Sequence, residues 1–74
     1  MLDDMSFGLQ LRSVREERGM SRKELAERIG SGNGKVVWKY ESGSVDPTVT
    51  TVRRFAAALK VTAAELLEED NQSR

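Results

Sequence analysis

The sequence predicts a compact all-α domain of five helices, on three observations. Apolar residues recur at spacings of three and four, which place them on one face of a helix. Two stretches of the form Ser/Thr-x-x-Glu, Ser21-Arg22-Lys23-Glu24 and Thr62-Ala63-Ala64-Glu65, are capping boxes that open helices. Glycines follow several of the periodic stretches, where helices end.

Phe7, Leu11 and Val14 fall at i, i+4 and i+7, which predicts a first helix from Ser6 to Arg18. Arg15 and Arg18 lie in its closing turns, where cations suit the helix dipole, and Gly19 stops it. The first capping box opens a second helix, Arg22 to Ile29, with Leu25, Ala26 and Ile29 as its apolar face and Gly30 as its stop. Ser31-Gly32-Asn33-Gly34 reads as a turn, with Asn33 a candidate N-cap for a third helix, Gly34 to Ser42. The apolar face of that helix is Val36, Val37 and Tyr40. Its valines and Trp38 are indifferent helix formers, so packing must hold it. Ser44-Val45-Asp46-Pro47 is a surface connection, and Val49, Val52, Phe55, Ala56 and Leu59 predict a fourth helix. The second capping box opens a fifth, carrying Leu66 and Leu67. The expected organisation is a poorly ordered stretch at 1–5, one domain at 6–68 and a polar tail at 69–74.

At 74 residues the chain holds one small domain, which buries only about 60% of the surface its unfolded form exposes. Cys and His are both absent, so no disulfide forms and the usual zinc and iron–sulfur ligands are missing. The commonest general base is absent too, and no convergent acid–base pair is evident, so neither an enzyme nor a cofactor or metal is expected. No apolar run approaches the roughly 18 residues of a membrane span. Met1-Leu2-Asp3-Asp4-Met5 is acidic and lacks the apolar stretch of a signal peptide, so a cytoplasmic location is the expectation.

Net charge is zero, which by itself argues against a nucleic-acid partner. The distribution argues the other way. Between Arg12 and Lys39, eight basic residues stand against four acidic ones, and the rest of the chain carries the opposite excess. Within the third helix, stepping about 100° per residue, Lys35, Lys39 and Ser42 fall within roughly 60° of one another. Val36, Val37 and Tyr40 lie on the other side, and Trp38 sits on the flank of the basic face. An outward Trp on so short a helix calls for a reason.

A second helix, a short turn and a third helix with a basic outer face suit a helix that enters the DNA major groove. From Phe7 to Leu67 the chain resembles the phage Cro/lambda-repressor-like helix-turn-helix domains, also called the xenobiotic-response-element family. The resemblance rests on an ordered set. It runs through Leu11-Arg12-Ser13-Val14-Arg15-Glu16-Glu17-Arg18-Gly19-Met20-Ser21, Glu24-Leu25-Ala26-Glu27-Arg28-Ile29-Gly30 and Tyr40-Glu41-Ser42-Gly43. It continues through Pro47-Thr48-Val49, Phe55-Ala56-Ala57-Ala58-Leu59 and Val61-Thr62-Ala63-Ala64-Glu65-Leu66-Leu67. No single motif decides it.

The resemblance implies a lambda-repressor-like fold and roles for matching positions. Lys35 and Lys39 face base edges, where Lys donates to guanine O6 and N7. Gly34 shares that face without a side chain to read with. Asn33 pairs with adenine if it is not taken up as the cap. Arg22, with Ser21 before it, contacts phosphate; Ser42 and Ser44 match a loop that touches the backbone. Arg15 and Glu41 form a structural ion pair. The Gly-rich turn is one residue longer than usual, Trp38 replaces a small polar residue, and Lys60 stands where Gly commonly ends the fourth helix. Trp38 stays open between sugar–phosphate stacking, a thymine methyl, a protein partner and plain cover for its helix flank.

The reading is a sequence-specific double-stranded-DNA-binding transcriptional regulator, a repressor, acting as a homodimer that pairs through Val61, Leu66 and Leu67. The alternative is an antitoxin or protein-interaction module that uses the third-helix face and Trp38. The lysines also admit the plainer reading of a solvated helix face.

Overall fold

The computed structural model describes residues 5–67. Five helices follow in order: α1 (Met5–Glu17), α2 (Arg22–Arg28), α3 (Gly34–Glu41), α4 (Val49–Leu59) and α5 (Ala63–Leu67). Among the described residues there is no strand, and the fold is all-α. Met5, expected in the unordered leader, belongs to α1, while residues 1–4 and the tail at 69–74 lie outside the described residues. Ile29 and Ser42, expected inside α2 and α3, are instead their C-caps.

The apolar spacings bury the side they predict. Phe7, Leu11 and Val14 of α1 meet Leu25 and Ala26 of α2, Val37 of α3, Val52, Phe55, Ala56 and Leu59 of α4, and Leu66 of α5. Phe55 is fully buried, and Phe7 and Tyr40 approach its ring, with centroids 6.1 and 5.4 Å away. Each large apolar side chain removed from water contributes about 1.5–3 kcal/mol before conformational entropy is counted, so no one helix stands alone.

Two expectations of side-chain placement change. Val36 is not part of the buried seat of α3: Val37 is fully buried, Tyr40 half-buried, and Val36 lines a surface cleft with Ile29, Thr51 and Arg54. The inner arc is instead completed by Glu41, whose charge is neutralised as described below. Leu66, expected on a pairing surface, has 0% exposure; α5 turns it into the core against α1 and α4. Val61 and Leu67 are half-buried against that same core.

The two capping boxes differ. Thr62 and Glu65 bond reciprocally, with Thr62 N donating to Glu65 Oε1 at 2.9 Å and Glu65 N donating to Thr62 Oγ1 at 3.2 Å. At α2, Glu24 N donates to Ser21 Oγ at 3.0 Å, but the Glu24 carboxylate lies 3.7 Å from Arg28, one turn on, so only half of that box forms. Thr48 caps α4, accepting from Thr51 N at 3.1 Å, and Lys60 ends it at φ +61.

Candidate nucleic-acid interface

The α2–α3 unit is joined by a short turn that reverses the chain with two glycines in the left-handed region, Gly30 at φ +89 and Gly32 at φ +73. The Ser31 and Gly32 amides both donate to Ala26 O, at 2.8 and 3.3 Å, so the extra residue is folded back onto the end of α2. Asn33 then begins α3: its Oδ1 accepts from Lys35 N at 2.9 Å. Gly34 follows with its Cα against the first turn of α2. A Cβ there would sit 3.3 Å from Lys23 N.

Glu41, on the last turn of α3, is buried with its side chain 3% exposed. Arg15 Nε donates to Glu41 Oε2 at 2.6 Å and Arg22 Nε donates to Glu41 Oε1 at 2.9 Å. A second Arg15 nitrogen donates to Met20 O at 2.8 Å. One carboxylate thus ties α1, α2 and the loop between them to α3. A buried charge is tolerable only when paired and hydrogen-bonded, and here both carboxylate oxygens are engaged. On the other side of the helix Lys35 and Lys39 are exposed, and Trp38 is exposed on the flank between them and Glu41. Next to them Ser42 Oγ donates to Lys39 O at 3.2 Å and stands 3.0 Å from Ser44 Oγ. The outcome is a cationic rod end held rigidly from beneath.

A family model described as a helix-turn-helix domain matches residues 6–68. The chain belongs to the helix-turn-helix domain family. This helix-turn-helix domain is 31% identical over 70 residues to the HTH-type transcriptional regulator ImmR of Bacillus subtilis (strain 168), covering 95% of this chain and 54% of that protein. It is 33% identical over 63 residues to the cryptic phage CTXphi transcriptional repressor RstR of Vibrio cholerae, covering 85% of this chain and 56% of that one. The chain therefore spans about half the length of the curated relatives it matches. Among solved structures, an HTH_3 family transcriptional regulator from Vibrio cholerae superposes with a TM-score of 0.81 at 25% identity. That match covers 93% of this chain and 38% of the other.

The helix-turn-helix geometry groups Asn33, Gly34, Lys35, Trp38, Lys39, Ser42 and Ser44 along α3 and the segment after it, with Ser21 and Arg22 at the start of the neighbouring α2. Two of these carry tasks beyond those expected. The Asn33 oxygen is occupied as the cap, which removes one half of a bidentate adenine contact. Arg22 is bound through Nε to Glu41, with its side chain still 40% exposed.

Two residues that matter to this helix-turn-helix domain carried no expectation. Gly8 of α1 lies so close to the end of α3 that a Cβ there would sit 2.6 Å from Tyr40 O and closer still to Glu41 O. Its place beside Leu11 on the apolar side of α1 gave no sign of this, because the contact is with backbone distant in sequence. Leu9, on the same helix, is 59% exposed beside Trp38, and an isolated exposed Leu is unremarked in any sequence.

Proposed function

We propose that this helix-turn-helix domain is a sequence-specific double-stranded-DNA-binding transcriptional regulator that represses by occupying its site, inserting α3 into the major groove. The observation that carries this reading is the outward pair Lys35 and Lys39 on a helix whose opposite side is fixed by Val37 and Glu41. Lysines held on a rigid rod can sample guanine O6 and N7 without paying the ordering cost of a loop. Arg22, half exposed at the start of α2, adds a phosphate contact, and Ser42 and Ser44 add backbone contacts. The names of ImmR and RstR, a transcriptional regulator and a transcriptional repressor, support the same reading.

A homodimer is part of the proposal on energetic grounds. One short helix makes few base contacts, each worth about 1–3 kcal/mol. Two-fold pairing doubles them and reads half-sites about one helical turn apart. With Leu66 inside the core, Val61 and Leu67 remain of the expected pairing face, and Val45 and Val49 expose further apolar surface before and at the start of α4.

Selection of bound duplexes from a random pool, with light scattering on the same sample, tests site, symmetry and stoichiometry together. Recovery of a consensus with two-fold symmetry by a dimer is the expected result; recovery of none defeats the proposal. The second reading, a protein-interaction module or antitoxin, draws on half-exposed Trp38. No gel shift with bulk duplex at low salt and micromolar protein would favour it, because non-specific binders reach that range.

A further inference from the structure

Between α1 and α3 lies a cleft of about 270 Å³, lined by Leu9, Arg12, Arg22, Trp38, Glu41 and Ser42. Its chemistry is mixed in a particular way. Trp38 is 50% exposed and Leu9 59% exposed, so the cleft presents apolar surface to solvent on both helices. Among the described residues the aromatic cluster is Phe7, Tyr40 and Phe55, and Trp38 takes no part in it. Two guanidinium-bearing residues line the same cleft as the indole, Arg12 from α1 and Arg22 from α2. The local carboxylates are Glu41, engaged by Arg15 and Arg22, and Glu16, which meets Arg12 at 3.1 Å and Arg15 at 3.8 Å. The three guanidinia outnumber the two carboxylates. The Arg12–Glu16 pair is exposed on both sides, which makes it weak enough to yield to a phosphate.

A flat apolar ring that shares a cleft with two cations matches a strand whose apolar sugar alternates with anionic phosphate. We propose that this cleft seats one sugar–phosphate strand of the duplex, with the Trp38 indole packed on deoxyribose and Arg12 and Arg22 on the flanking phosphates. The inference rests on the DNA-binding reading and extends it: the footprint passes beyond α2 and α3 onto α1. Ser42, at the rim of the same cleft and next to Lys39, makes the seat continuous with the α3 face. Because phosphate and sugar carry no base identity, this seat adds affinity and sets the height of α3 in the groove but does not choose sequence.

Trp38 is the only tryptophan of the chain, so its emission reports the cleft directly. The test titrates a duplex selected from the random pool into the full chain. Anisotropy of the labelled duplex, Trp38 emission and acrylamide quenching are followed together. The expected result is a shift in emission and a fall in quenching that track binding. Trp38→Ala should weaken selected and scrambled duplexes by the same factor, about three- to tenfold. Arg12→Ala should lower the slope of log affinity against log salt by about one unit for both duplexes. Both side chains are exposed, and circular dichroism establishes that the variants fold. Binding by anisotropy with unchanged Trp38 emission and quenching overturns the seat and leaves the DNA-binding reading intact. A loss with Trp38→Ala that falls only on the selected duplex, and vanishes when its thymines are replaced by deoxyuridine, overturns it in favour of a methyl contact. Failure of any duplex to bind removes both readings and points to a protein in the cleft.

Discussion

Arg22 and Glu41 are joined across the α2–α3 junction: Arg22 Nε donates to Glu41 Oε1 at 2.9 Å, while Arg15 holds the other carboxylate oxygen at 2.6 Å. The two arginines are not equivalent partners. The Arg15 side chain is nearly buried, and that of Arg22 is half exposed. Loss of the carboxylate therefore leaves the nearly buried Arg15 with only the Met20 carbonyl and an exposed Glu16 at 3.8 Å, and merely frees a surface cation at Arg22. Glu41→Ala is expected to cost about 3–5 kcal/mol, a large part of the stability of a small domain. Arg22→Ala leaves the buried Glu41 Oε1 without that donor and is expected to cost about 1–3 kcal/mol, less than Glu41→Ala because Arg15 still pairs the carboxylate. Urea denaturation followed by circular dichroism checks both, and a Glu41→Ala midpoint equal to that of the wild type would refute the argument.

Gly8 makes a second demand on the same helix end. A methyl group there would meet the Tyr40 and Glu41 carbonyl oxygens, which are backbone and have no rotamer to escape into. Gly8→Ala would raise helix propensity by about 1 kcal/mol if the site were open. In this packing it is expected to destabilise instead, by about 1–3 kcal/mol, because α1 or the end of α3 must shift. Stability of the variant by thermal unfolding decides the sign. A stabilised Gly8→Ala would show that the two helices have room to separate.

Lys60 offers the converse. It closes α4 with φ +61, a left-handed backbone that costs a residue with a Cβ about 1–2 kcal/mol. Its side chain is exposed, and it lies at the far end of α4 from the α3 face. Lys60→Gly is expected to stabilise the fold by about 1 kcal/mol, part of the relief being lost to the greater freedom of Gly in the unfolded chain. The melting temperature should rise and duplex affinity should stay unchanged. A fall in melting temperature would mean that the lysine stem contributes packing that outweighs the backbone.

How far these features were legible follows from how local their causes are. The α4 pattern of Val52, Phe55, Ala56 and Leu59 spans enough turns to phase itself, and α4 lies where the spacing places it. The Asn33 and Thr62 caps are decided within three residues, so they too read directly from sequence. In α5, one short turn with adjacent Leu66 and Leu67 cannot be phased by spacing, and the inward residue proved to be Leu66. Val36 was misplaced for a similar reason: a helix of eight residues has a narrow seat, and Glu41 took part of it once two arginines neutralised its charge. The Arg15–Glu41 pair was available through resemblance, whereas the second arginine on Glu41 and the Gly8 approach depend on where α1 and α2 meet α3 in space. No stretch of sequence records that.

The last expectation concerns the lysines themselves. Lys35 and Lys39 lie one turn apart on the exposed side of α3, and neither makes an ion pair among the described residues. Their removal should leave stability within about 0.5 kcal/mol, as for surface positions in general. Binding should respond differently. Lys39→Ala is expected to weaken the selected duplex by about 1–3 kcal/mol while scarcely changing its affinity for a scrambled duplex at the same salt, because a base contact is lost. A phosphate contact would instead weaken both duplexes alike and flatten the salt dependence. Titrations of wild type, Lys35→Ala and Lys39→Ala against the two duplexes at two salt concentrations separate these cases. If all three proteins keep the same ratio between selected and scrambled duplexes, the α3 lysines do not read bases, and specificity must come from elsewhere on the surface.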